Sequence, residues 1–181
     1  MTTTEEQIVL LDDNWQPIGV APKLASHHRE TPLHLAFSCH VFNEKGEVLV
    51  TQRALSKKVW PGIWTNSCCG HPAPGEAMED AVTRRLQYEL GLTVTDLRLI
   101  LPKFRYRCEF QGIVENECCP VYVARATSAV AANPEEVEAY EWITWEEFEK
   151  RTASEHSEFS HWCKLQVPLL AEQGIGSSHS N

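Results

Sequence analysis

Three small groups of residues in this 181-residue chain are of the right type and spacing to do chemistry. Glu115 and Glu117 stand two apart in Gly112-Ile-Val-Glu-Asn-Glu117. In a strand, residues i and i+2 face the same way, so these carboxylates can converge on one ion. His27, His34 and His71 lie far apart in the chain, beside segments that read as strand edges or loops. Three imidazoles and two carboxylates would form a nitrogen and oxygen site suited to a six-coordinate divalent cation, Mn2+ or Mg2+, with zinc possible. Taken singly, each histidine is more often a surface or satisfied core side chain. The glutamate pair fits a solvated strand face equally well, and spacing leaves both readings open. The third group is sulfur: seven cysteines, with Cys68 next to Cys69 and Cys118 next to Cys119, and no Cys-x-x-Cys spacing. Such a set suits neither a disulfide framework nor a zinc clip. A reducing cytoplasm is the expected setting, with most thiols as small core residues and one chemically active.

The elements that must hold these groups can be read from the pattern. Residues 33–42 and 47–53 are β-rich runs around a turn at 43–46 that ends in glycine, a hairpin signature. Residues 60–75 carry three prolines and three glycines, so a long irregular connection is expected there. Met78, Val82, Leu86 and Leu90 recur every four residues, which predicts a helix over 76–90 stopped by Gly91. Strand-like segments follow near 97–107 and 113–125. Helical patches begin at Trp145 and span 159–172, and a Gly/Ser-rich tail from Gly174 is expected to fray. Strands and helices mix without a regular βαβ rhythm, which predicts an α+β domain, a mixed β-sheet flanked by helices. At 181 residues, one domain over 1–181 is expected.

Charge narrows the choice of partner. The net charge of −9 argues against nucleic acid, and no apolar run is long enough to cross a bilayer. Residues 134–158 hold nine glutamates, whereas 51–58 carries Arg53, Lys57 and Lys58, and 98–107 carries four further cations. An acidic protein with local cationic clusters can bind a small anion without attracting polyanions.

Gly70 opens a spaced pattern, Gly70-x5-Glu76-x7-Arg84, followed by Arg85-Leu-Gln-Tyr-Glu-Leu-Gly-Leu92. It resembles the Nudix box, G-x5-E-x7-R-E-U-x-E-E-x-G-U with U aliphatic. Every fixed position matches except two, where Arg85 and Tyr88 replace glutamates that in Nudix hydrolases help hold the cations that drive diphosphate cleavage. Hard cations need several anionic oxygens close together, so hydrolysis is not expected. Glu89 remains, one helical turn from Arg85 on the same face.

Longer motifs sharpen the likeness. Ala54-Leu-Ser-Lys-Lys58, Trp60-Pro-Gly-Ile-Trp-Thr-Asn66, Thr65-Asn-Ser-Cys-Cys-Gly-His-Pro72, Phe104-Arg-Tyr106 and Glu115-Asn-Glu117 together resemble the type I isopentenyl-diphosphate isomerases, from about residue 8 to Trp162. That resemblance implies a Nudix-like core over about 32–166, with residues 1–31 an extension contributing to a metal site. It implies interconversion of isopentenyl and dimethylallyl diphosphate in isoprenoid biosynthesis. The cysteine before Gly-His, Cys69, and the second glutamate of Glu-Asn-Glu, Glu117, match the family's catalytic pair, with Tyr106 beside the carboxyl group. His27, His34, His71, Glu115 and Glu117 match its metal ligands, and Glu89 the residue associated with an Mg2+ bound with the diphosphate. Lys23, Arg53, Lys57 and Arg85 match diphosphate contacts, and Trp162 an aromatic group against the hydrocarbon. In an extended chain neighbours face opposite ways, so only one of Cys68 and Cys69 can face a pocket. The expected partner is a small prenyl diphosphate, with no nucleic acid and no membrane, for a cytoplasmic monomer or weak homodimer. Two rivals remain: a Nudix-type diphosphohydrolase, which would release phosphate, and a metal-binding or redox-sensing domain, which would turn over no prenyl diphosphate.

Overall fold

The computed structural model describes residues 6–177. The chain opens with the hairpin of β1 (Gln7–Leu11) and β2 (Pro17–Pro22), a four-residue helix α1 (Lys23–Ser26) and the short β3 (His34–Leu35). The expected hairpin follows as β4 (Phe37–Phe42) and β5 (Val48–Arg53), its turn closed by Gly46 at φ 77° and by Asn43, whose side chain accepts from the amides of Lys45 and Glu47. The connection over 60–75 is less irregular than its composition suggests, because β6 (Trp64–Thr65) and β7 (Cys68–Gly70) pair with β5 and β4. Helix α2 (Met78–Leu90) ends at Gly91 in the left-handed conformation, φ 60°, as its sequence predicts. It starts two residues later than expected. Glu76 lies in the preceding turn, where its carboxylate accepts the Ala73 amide and pairs with Arg84.

Two expected strands are each broken in two. The run near 97–107 is β8 (Val94–Leu101) and β9 (Arg105–Phe110), interrupted by Pro102, and the run at 113–125 is β10 (Ile113–Cys118) and β11 (Val121–Ala126), interrupted by Pro120. In both cases a proline without an amide hydrogen ends one ladder and the chain passes to another sheet. The remaining elements are β12 (Val137–Ile143), α3 (Trp145–Ala153) and α4 (His161–Glu172). Strands β1, β2 and β12 are not anticipated by the pattern; β12 lies within the acidic stretch, where Glu138 and Glu141 mask its alternation. Beyond α4, residues 174–176 form a hydrogen-bonded turn with Ile175 against the core rather than a frayed end; residues 178–181 lie outside the described residues.

The strands form a five-stranded sheet, β2-β1-β3-β10-β9, and a seven-stranded one, β12-β5-β4-β11-β8 with β6 and β7 attached. The pairs β3·β10 and β4·β11 are parallel and the others antiparallel, so both sheets are mixed. Alternation along β4 fills both faces of the larger sheet. Phe37, Cys39 and Val41 pack with Val82, Leu86 and Leu90 of α2, while Val121, Val123, Phe148, Trp162 and Val167 fill the opposite core beneath α3 and α4. All seven cysteines are free thiols, and no helix among the described residues is long and apolar enough to cross a membrane.

Leu86 is fully buried between α2 and the sheet, and Leu165 is 41% exposed on α4. Leu86→Ala is expected to cost about 2–5 kcal/mol in urea unfolding, and Leu165→Ala less than about 1 kcal/mol. Equal midpoints for the two variants would contradict this packing.

Candidate active site

The site forms where the two sheets part. His34 of β3 lies directly beside Glu117 of β10 in the parallel register, and Tyr106 of β9 lies opposite Glu117 on its other side. Three neighbouring strands thus bring an imidazole, a carboxylate and a phenol to one face. Glu115, two residues earlier on β10, shares that face and meets His27, delivered by the end of α1, at 3.3 Å. His71, just beyond β7, completes the group at 3.0 Å from Glu117 Oε1, with His34 Nε2 at 3.3 Å from the same oxygen. Tyr106 donates its hydroxyl to Glu117 Oε2 at 2.7 Å.

This cluster has the donor set of a metal site. His27 Nδ1 lies 2.6 Å from the Lys23 carbonyl and His34 Nδ1 2.9 Å from the Pro32 carbonyl, so both place their Nδ1 hydrogen there and turn the Nε2 lone pair toward a carboxylate. Lone pairs facing carboxylate oxygens repel unless a cation lies between them. Consistent with this, His34 Nε2 and Glu115 Oε2 are buried without a hydrogen-bond partner. Ligand atoms from His27, His34, His71 and Glu117 lie within 4.8 Å of one another. The residues therefore fit a divalent cation held by nitrogen and oxygen, with Glu115 adjoining through His27. Burial alone would raise the Glu117 carboxyl, but the hydrogen bond to the His71 imidazole opposes it and holds the group below the usual range; burial and the neighbouring Glu117 charge push Glu115 up.

Cys68 and Cys69 diverge as expected. Opposite Cys39, Cys68 packs into the α2 core, whereas Cys69, opposite Ser38, turns toward the α4 side and the cavity. Burial pushes the Cys69 thiol up to about 11, so it is protonated at neutral pH. Its Sγ lies 3.1 Å from Asn66 Oδ1 and 3.4 Å from Ser38 Oγ.

A cavity of about 560 Å³ connects these groups. Cys69, Tyr106, Glu115, Glu117, His27, His71 and Trp162 line its inner part, and Lys23, Arg53, Lys57, Arg85 and Glu89 its mouth. Of the residues singled out from the sequence, only His34 stands behind the wall, fully buried. The Trp162 indole donates to Asn66 Oδ1 at 3.2 Å and packs 5.7 Å from the Tyr106 ring and 5.3 Å from Trp60. At the mouth, Arg85 binds Glu89 one turn along α2 and approaches Glu136 at 3.5 Å, while Lys57 pairs with Glu136 and Lys23 with Glu6. Arg53 donates to the carbonyls of Val59 and Trp60. Sequence reasoning passed over Glu6, Glu135, Glu136 and Asn66. The first three carry no spacing signal, and Asn66 lies in Thr65-Asn-Ser-Cys-Cys-Gly-His-Pro72, where nothing in its local pattern marks it as a partner of Cys69.

Fold and site together define a Nudix-type domain whose helix after the glycine carries Arg85 and Tyr88 where the box has glutamates, and residues 32–163 match the family described as the NUDIX domain. Among solved structures, the chain resembles DR0079 from Deinococcus radiodurans, with TM-score 0.70 at 19% identity over 90% of this chain and 98% of that one. It also resembles a MutT protein from Methanosarcina mazei, with TM-score 0.62 at 18% identity over 79% and 96%. Full-length similarity is far stronger to proteins named isopentenyl-diphosphate Delta-isomerase. Identity is 55% to that of Saccharopolyspora erythraea (93% of this chain, 88% of the relative) and 54% to that of Mycolicibacterium vanbaalenii (97% of each). The chain belongs to the isopentenyl-diphosphate Delta-isomerase family of the Nudix superfamily.

Saturating Mn2+ or Mg2+ is expected to raise the thermal midpoint of the protein, by the equivalent of about 2.7 kcal/mol at a hundredfold excess over Kd. His34→Ala should weaken binding in calorimetric titration by at least about tenfold. Identical metal affinity in this variant would remove His34 from the site.

Proposed function

We propose that this chain interconverts isopentenyl and dimethylallyl diphosphate, with Glu117 and Cys69 exchanging protons with different carbons of the substrate. The supporting observation is that a carboxylate bonded to Tyr106 and a thiol line the same cavity, beside Trp162, with cations at its mouth.

An alkene is a very poor base, and protonating it requires a positioned acid and a dry surrounding. The proton that rests on the Cys69 thiol first passes to the Glu117 carboxylate, and Glu117, held by Tyr106, then gives it to C4 of isopentenyl diphosphate. The C3=C4 electron pair forms the new C–H bond, leaving positive charge at tertiary C3. Cys69, as thiolate, takes a proton from C2, and that C–H pair becomes the C2=C3 double bond. The reverse reaction exchanges the roles, and proton return between the pair closes the cycle. The Trp162 face excludes water and attracts the developing cation, worth about 2 kcal/mol when desolvated. His27, His34, His71, Glu115 and Glu117 would hold a divalent cation, which we assign as Mn2+ or Mg2+ with zinc possible, and it would supply positive charge beside the Glu117 carboxyl group.

Lys23, Arg53, Lys57 and Arg85 hold the diphosphate, and Glu89 the Mg2+ that accompanies it. Arg85 is central to this assignment: a cation stands where hydrolases place an anion, so the tail is gripped rather than cut. Residues 1–31 serve the site through Lys23 and His27 within one domain. We place the enzyme in the cytoplasm as a monomer or weak homodimer.

Incubation with isopentenyl diphosphate and Mg2+ in deuterated water, followed by NMR, tests the reaction. Dimethylallyl diphosphate with carbon-bound deuterium and no free phosphate is the expected product; phosphate alone would establish hydrolysis instead. In the same assay Cys69→Ala should lose nearly all turnover and Cys68→Ala little, whereas equal losses would detach the role from Cys69. Arg85→Glu should weaken diphosphate binding by at least about tenfold, as expected for loss of a charged contact; unchanged affinity would exclude Arg85 from the clamp.

A further inference from the structure

Behind Cys69, on the side away from the cavity, a line of buried polar side chains connects β4 to α4. Ser38 and His40 alternate onto the same face of β4, and Gln166 lies one helical turn beyond Trp162 on α4. All three are 0% exposed. His40 Nε2 lies 3.0 Å from Gln166 Oε1, Gln166 Nε2 2.9 Å from Ser38 Oγ, and Ser38 Oγ 3.4 Å from the sulfurs of both Cys69 and Cys119.

The direction of every hydrogen in this line follows from one atom. His40 Nδ1 is buried with no partner. A hydrogen there would be a buried donor without an acceptor, so the neutral ring carries its proton on Nε2 and donates to Gln166 Oε1. Burial keeps that ring neutral, drawing its pKa down to about 4. Gln166 is thereby oriented with its amide nitrogen toward Ser38, and the Ser38 oxygen, already accepting, turns its own hydrogen toward sulfur. The Cys69 hydrogen is committed elsewhere. Asn66 gives both amide hydrogens to the carbonyls of Cys39 and Cys68 at 2.9 Å, so its Oδ1 can only accept, and it takes the Cys69 S–H. Cys119 is left to donate to Ser38, and Ser38 to donate to Cys69.

We propose that His40 and Gln166 are positioning residues that lock the Ser38 hydroxyl as a hydrogen-bond donor to Cys69 Sγ, so that the sulfur is held between a fixed donor, Ser38, and a fixed acceptor, Asn66. This rests on Cys69 being the proton carrier assigned above. The fixed donor strengthens when the sulfur is anionic, because a charge-assisted hydrogen bond is about twice as strong as a neutral one. It therefore favours the state from which Cys69 removes the C2 proton, while touching neither the diphosphate nor the hydrocarbon.

The test combines kinetics with a thiol signal that does not require turnover. Ser38→Ala is expected to lower kcat by roughly ten- to a hundredfold with KM unchanged, since it removes one hydrogen bond to a charged group. Ser38→Thr, which keeps the hydroxyl, should restore kcat. Gln166→Met keeps the packing volume but frees the hydroxyl to turn, and should lower kcat severalfold. The S–H stretching band of Cys69, isolated by subtracting the Cys69→Ala infrared spectrum, should shift in both Ser38→Ala and Gln166→Met. Wild-type kcat with an unmoved band overturns the proposal, as does a loss confined to KM or to the thermal midpoint. Wild-type turnover by Cys69→Ala would instead overturn the role of the sulfur while leaving the hydrogen bond that the band reports.

Discussion

Two stretches of chain, 34–42 and 117–125, run side by side in parallel and in one register, and the site depends on both sheets meeting along them. Glu117 pairs with His34 and Val121 with Ser38, but between them Pro120 cannot donate to a ladder. The amides of Ala36 and Ser38 still reach the carbonyls of Cys118 and Pro120, at 2.9 and 3.0 Å, so the two segments stay tied across the change from one sheet to the other. The carboxylate remains on the smaller sheet and the thiol is carried by the larger one. The cavity is lined from both sheets, by Tyr106 and Glu117 of the smaller one and Cys69 of the larger.

This arrangement alone would leave a buried carboxylate uncompensated. Glu117 is 5% exposed, and isolated ionised groups are costly away from water. Three imidazoles and a phenol surround it, each placed by a different element, so the smaller sheet, α1 and the segment after β7 are bound together by one electrostatic requirement. The mouth follows the same rule with opposite sign. Arg85, 6% exposed, is balanced by Glu6, Glu89 and Glu136.

The two adjacent cysteines show how completely environment separates identical groups. Cys68 enters an apolar layer against α2, while Cys69 meets a fixed acceptor and a fixed donor at the edge of the cavity. Trp162 and Gln166 reach this region from the same face of α4, one as a wall of the chamber and the other behind the thiol. Helix α4 therefore contributes both to the cavity wall and to the polar line behind the sulfur.

Local pattern was sufficient for much of this. The four-residue rhythm and Gly91 define α2, the glycine turn defines the β4–β5 hairpin, and the i, i+2 spacing aligns Glu115 with Glu117, because each depends on backbone geometry within a few residues. The long motifs carried the family, and with it most of the wall of the cavity. What local pattern misjudged were the strands cut by Pro102 and Pro120 and the strand hidden among the glutamates of the acidic stretch, where the partner sheet, not the segment itself, decides the pairing. Tertiary structure alone joined His27, His34 and His71 around Glu115 and Glu117, paired Glu136 with Arg85 and Lys57, and aligned His40, Gln166 and Ser38 behind Cys69. Those contacts span tens to more than a hundred residues of chain, and no periodicity within a segment encodes a distance set by how two sheets separate.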